Sequence, residues 1–237
     1  MTSIVTVSPM RNIYEQVKWK CKAYSSLFST VLIVYIFMGL LSGGMSGSLG
    51  TGTSFVNYEE RFYSLDGFFI YTIILMLILG WMLASKQLAR QNYSIVTTNL
   101  TEVASTGIFL IILCIFTLAA AISTLIISVF INLLSTGEQN IYYDSTISFT
   151  AIIGFIVCTL LAASIGYFLH AMFDFSKIAF IILAAGIFLL IRQYKYDIWQ
   201  FVFSDGAMQI IGRSTVYVIV IWLLIALIRQ KREVTRT

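Results

Sequence analysis

The chain has 237 residues, 59% of them hydrophobic and only 11% charged, with a formal net charge of +4. A soluble domain carries about 25% charged residues, so this composition excludes one, and the cations stand at the ends of apolar runs rather than as a patch for nucleic acid. Apolar runs such as Ile73–Leu79 do not alternate, which excludes a membrane β-barrel, whose strands alternate over about ten residues.

The first element in chain order is Met10–Tyr24. Ile13, Tyr14, Val17 and Cys21 recur there at helical spacing, while Arg11, Glu15, Lys18 and Lys22 fall elsewhere around the wheel. That pattern predicts a helix over 10–24 lying along a membrane surface. No charge interrupts Ala23–Tyr58, Gly67–Ser85, Val103–Gly137 or Ser145–Phe173, and shorter gaps follow at Ile178–Ile191 and Ser214–Ile228. About 20 apolar helical residues cross a hydrocarbon core of about 30 Å. The expected spans are therefore 25–44, 66–85, 104–134, 146–172, 176–193 and 212–229, an all-α polytopic membrane domain over 1–237. The first stretch follows a long basic segment and precedes no A-x-A site, so it reads as an uncleaved helix rather than a signal peptide.

Three connections stand out. Residues 45–65 form an outer loop rich in Gly and Ser that turns acidic at Glu59 and Glu60. Lys86–Glu102 is a polar connection longer than the usual two to eight residues, with Thr98 or Asn99 as a helix cap and Glu102 near the first turn. Tyr196–Ile211 holds two apolar arms around Ser204-Asp205-Gly206, a turn sequence, and is expected as a re-entrant outer hairpin. Cytoplasmic loops carry excess Lys and Arg. Placing both termini in the cytoplasm puts eleven of the 15 cations there and leaves Arg61, Arg192, Lys195 and Arg213 outside.

The chemistry that is missing narrows the function. No GxxxxGK[ST], HExxH or GxSxG occurs, and Cys21, Cys114 and Cys158 are scattered. No catalytic residue, resident cofactor or metal site is expected, and the chain is not itself an enzyme. His170 and Asp174 are four residues apart at a span end, where boundary chemistry is the ordinary role. The first four spans carry no acid or base near their midpoints, which argues against a proton-driven transporter. Hydroxyls remain: Thr72, Thr117, Ser123 and Ser128 either line a mildly polar path or pack helices together.

Met10–Tyr24, Lys86–Glu102 and Tyr196–Ile211, set among six spans, together resemble the permease subunit of ABC-2 type exporters. The resemblance rests on architecture over nearly the whole chain. It implies a multi-pass protein of the cell membrane, similar to the small permeases of Gram-positive bacteria. It implies partners: ATP-binding-cassette subunits that hold ATP and Mg, and a second permease copy or paralogue. The cargo it implies is amphipathic, a toxic or antimicrobial peptide or a lipid-like molecule. Lys86, Arg90, Asn92, Tyr93 and Glu102, with Tyr14 and Lys18, would meet the ATPase. Asp197, Trp199, Phe203, Asp205, Gly206 and Arg213 would form an outer gate. The competing expectation is a non-transport membrane immunity or assembly protein that binds a partner within the bilayer.

Overall fold

A computed structural model describes residues 9–42, 46–53, 56–63, 66–85, 99–136, 149–193 and 206–234. Seven helices and one β-hairpin occur among them: α1 Pro9–Ala23, α2 Ser25–Ser42, β1 Ser46–Thr53, β2 Val56–Tyr63, α3 Asp66–Leu83, α4 Asn99–Thr136, α5 Phe149–Phe175, α6 Lys177–Gln193 and α7 Ala207–Val234. Leu100–Ile131, Phe149–Phe175 and Ala207–Gln230 are long and apolar enough to cross a membrane. Phe68–Leu83 and Lys177–Gly186 are shorter apolar helices. The chain is a helical membrane protein.

Local sequence explains the breaks. Pro9 opens α1, where its missing N–H costs nothing. At Tyr24 the chain bends by 51° into α2, yet the Tyr24 N–H still reaches the Lys20 carbonyl at 2.9 Å. Ser176 separates α5 from α6 without a loop. Its backbone N–H closes α5 on the Met172 carbonyl (2.9 Å), and its hydroxyl accepts from the Ala179 N–H (3.3 Å), capping α6.

The core is built around α4 and α5, with Phe109, Leu110, Leu113 and Leu125 of α4 and Tyr167 of α5 almost fully buried. Contacts along each pair reveal helix direction. Phe28 and Gly39 of α2 meet Phe116 and Thr124 of α4, so α2 and α4 run parallel. Phe69 and Gly80 of α3 meet Phe155 and Ala163 of α5, and Ile211 and Trp222 of α7 meet Gly154 and Tyr167, so α3, α5 and α7 share a direction. Tyr35, late in α2, bonds Thr72, early in α3, so the two sets are opposed. The start of α2 and the end of α7 thus lie at one end of the bundle, called the base below.

Two glycines make the α3–α5 contact possible. A Cβ on Gly80 would run into the Ala163 carbonyl, and one on Gly166 into the Leu77 carbonyl. With no side chain between them the two backbones touch, the usual way of packing helices where lipid supplies no hydrophobic drive.

The structure corrects two expectations. The loop expected over 45–65 contains an antiparallel hairpin, with Ser46 opposite Tyr63 and Thr53 opposite Val56. Gly and Ser in Ser46–Thr53 are poor strand formers, which hid β1. Ala207–Ile211, expected as the second arm of a re-entrant hairpin, instead forms the opening turns of α7. Its first arm, and residues 86–98 of the long connection, lie outside the described residues. α1 meets the bundle through two buried polar side chains, Gln16 and Lys20, with Trp19 and Cys21 packed beside them.

Candidate functional site: a buried polar joint at the base

Gln16 and Lys20 lie one turn apart on α1 and are each 4% exposed. Both face the opening turns of α4. The Lys20 ammonium donates to the Ser105 hydroxyl at 2.8 Å, the Thr106 hydroxyl at 2.6 Å and the Glu102 carbonyl at 3.3 Å. Gln16 Nε2 donates to the Thr101 hydroxyl at 3.4 Å. The Ser105 hydroxyl has Gln16 Oε1 at 2.8 Å and the Glu102 carbonyl at 2.9 Å within reach of its one proton. Three oxygens around the ammonium favour its charged form. Burial outweighs them and pushes Lys20 from its usual 10.5 down to about 8; the Glu102 carboxylate opposes the shift and Arg229 adds to it.

Glu102 occupies the first turn of α4, where the helix dipole favours a carboxylate. Its Oε1 lies 3.9 Å from Arg229 NH1, with the two side chains 19% and 13% exposed. Arg229 NH2 donates to the Tyr167 hydroxyl at 3.0 Å, and its guanidinium carbon stands 5.7 Å from that ring's centre. Tyr167 stacks on Trp222 at 5.7 Å, and Trp222 Nε1 donates to the Ser164 hydroxyl at 3.0 Å. Next to this, His170 and Asp174 approach at 4.0 Å. Trp81 of α3 sets its ring edge-on to His170 at 4.9 Å. One continuous set of polar contacts therefore joins α1, α4, α5 and α7, and aromatic packing adds α3.

Such a joint can hold helix ends in register while letting them repack. Charged groups cross between helices here, and moving any one helix end changes the partners of the others. Among the described residues no three His, Cys, Asp or Glu side chains converge.

Of the residues expected at an ATPase contact, Glu102 belongs to the joint. Tyr14 (65% exposed) and Lys18 lie on other faces of α1. Lys86, Arg90, Asn92 and Tyr93 lie outside the described residues, as do Asp197, Trp199, Phe203 and Asp205 of the expected gate. Gly206 is exposed, and its carbonyl accepts from the Gln209 N–H (2.9 Å) at the start of α7. Arg213 is half-buried within α7. The hydroxyls expected along a path are spread out. Thr72 bonds Tyr35 and its own helix at Phe68 (2.6 Å). Thr117 is buried and bonds its own helix at Cys114 (2.8 Å). Ser123 is exposed and bonds back to Ala119 (2.8 Å), and Ser128 is buried beside Gly39.

Gln16, Lys20, Ser105, Tyr167 and Arg229 escaped the sequence reading as site residues. The available signal was the four-residue spacing of Gln16 and Lys20, which sets two long polar side chains on one face. Lys20 is otherwise one of several cations in α1. No family model, curated protein or solved structure matches the chain.

Proposed function

We propose that this chain is the membrane-spanning subunit of an ATP-driven exporter of the ABC-2 type, carrying an amphipathic cargo outward. In this reading α2 to α7 are the six spans, both termini are cytoplasmic, and the base of the bundle is the cytoplasmic end. The observation that carries it is the joint at Glu102, seated where residues 86–98 lead into α4 and tying α4 to the first and last helices. A partner subunit binds and hydrolyses ATP with Mg and presses on Lys86, Arg90, Asn92 and Tyr93. α4 is one uninterrupted helix of 38 residues, about 57 Å long at 1.5 Å per residue. It moves as a rod. Glu102 and Arg229 pass its displacement to α7, and the Lys20 cage passes it to α1. Only 11% of the most apolar stretch of α7 is buried, which leaves apolar surface for a second permease copy.

The test is co-expression with a cognate ATP-binding-cassette subunit. The pair should copurify, ATP turnover should require both, and Arg90→Ala and Tyr93→Ala should uncouple turnover from export. A chain that neither copurifies with such a subunit nor changes its turnover is not a permease. It would then be a partner-binding membrane protein. Orientation is checked separately by an impermeant thiol reagent. Cysteines placed at Ser48 and Gln139 should react from outside, and one at Thr235 should not.

A further inference from the structure

α1 presents three faces. At about 100° per residue, Gln16 and Lys20 share the docked face, and their burial fixes the rotation of the helix about its axis. Met10, Tyr14, Val17 and Cys21 fall in the next arc, about 60° wide. Met10 and Tyr14 are 80% and 65% exposed and Val17 is half-buried, while Cys21, at the end nearest α2, packs in part against the core. Arg11, Lys18 and Lys22 form the arc after that, all exposed. The docked face thus takes one lysine out of solvent and leaves an apolar stripe rimmed on its free side by three cations.

The position of this helix decides what covers it. Tyr24 joins α1 directly to α2, so Met10 lies within about 21 Å along the chain from that junction. α1 and α2 are bent by 51°. If α2 tilts by about 40°, within the range of spanning helices, α1 lies flat on the membrane surface. A stripe of Met, Tyr and Val then sinks to the boundary of the acyl chains, and the cation row stands at headgroup depth. Glu15 is the one acid of α1.

We propose that α1 is a recognition helix for anionic phospholipid, with Arg11, Lys18 and Lys22 holding headgroups and Met10, Tyr14 and Val17 immersed beneath them. The lipid surface thereby holds α1 in the rotation that seats Gln16 and Lys20 against α4. Tyr14 and Lys18 then face lipid and not an ATPase. This rests on the chain being a membrane protein and not on its being an exporter.

The test uses the full chain alone in nanodiscs, either of phosphatidylcholine or of phosphatidylcholine with phosphatidylglycerol. Cys21 and Cys158 are replaced by Ser; Cys114 is fully buried and is kept. A spin label at Tyr14→Cys should meet oxygen rather than an aqueous nickel chelate in the phosphatidylglycerol discs, and a label at Glu15→Cys the reverse. Lys18→Gln and Lys22→Gln should each lower the surface-bound population about fivefold, the factor for one cation at an anionic surface. Added salt should do the same. Both positions are exposed, so these variants leave the fold intact. Equal depth of the Tyr14 label in both lipid mixtures overturns the proposal. So does exposure of that label to the chelate in both, or shielding that arises only when an ATPase subunit is added. No ATPase is present in the main experiment, so its outcome leaves the exporter reading untouched.

Discussion

The base of the bundle and its middle are held by different physics. At the base, polar side chains cross between helices: Lys20 to Ser105 and Thr106, Arg229 to Tyr167, Trp222 to Ser164. In the middle, most hydroxyls turn back on their own helix. Thr117 bonds Cys114, Thr124 bonds Ala120 and Thr159 bonds Phe155. Beside the joint, α3 and α5 are joined by backbone contact at Gly80 and Gly166. Close backbone packing has one arrangement and resists change. A set of charged side chains has several arrangements of similar energy, so the joint can repack where the α3–α5 seam cannot.

The largest expected effect breaks the α3–α5 seam. Gly80→Leu or Gly166→Leu drives a side chain into a carbonyl that cannot move aside. Either should destabilise the protein by more than about 3 kcal/mol, beyond ordinary overpacking, and lower the yield of folded protein in detergent. Gly107→Ala is the matched control, because its Cβ would meet Trp222 at an ordinary 3.6 Å. Normal unfolding temperatures for both leucine variants would show that α3 and α5 are not clamped.

The next effect is at the base and depends on pH. Lys20 holds its proton only up to about pH 8 in the folded protein but up to 10.5 when unfolded. Between those values the unfolded chain binds more protons, so stability rises with pH. Below about 8 both forms are charged and the burial cost stands in full. A shift of this size is worth about 3 kcal/mol. Thermal unfolding in detergent should show the rise, and Lys20→Met should abolish it. A flat profile in the parent protein would mean that water reaches Lys20.

Smaller effects sharpen the contrast. Arg229→Gln leaves Glu102 without this cation and removes a donor to Tyr167, at a cost of about 1–3 kcal/mol. A double-mutant cycle with Glu102→Gln should show non-additivity of about 0.5 kcal/mol or more. Strict additivity would dissolve the joint into separate contacts. The least change is expected from Thr117→Val, within about 1 kcal/mol, since this hydroxyl bonds only its own helix in the structure. A large loss of export with unchanged stability in that variant would return Thr117 to the path.

Ser25–Ser42 and Phe149–Phe175 were legible as helices because uncharged apolar runs of that length have no other way to satisfy their backbone in lipid. Glu102 in the first turn of α4 was legible too, from Thr98 or Asn99 as a helix cap just ahead of it. The hairpin at Ser46–Tyr63 was not, because strand pairing is a contact between two segments and β1 carries little strand propensity of its own. The joint was still less legible. Lys20 and Lys18 are the same residue type two positions apart in one amphipathic helix, yet one is 4% exposed and the other exposed. Sequence by itself determined that the chain lives in a membrane, because transfer of backbone and side chains into lipid is a sum over local residues. Only the tertiary structure decided which lysine is buried, which glycines touch backbone and which end of the bundle is polar. Those outcomes depend on the partner that each helix face meets across distances such as the 85 residues between Lys20 and Ser105.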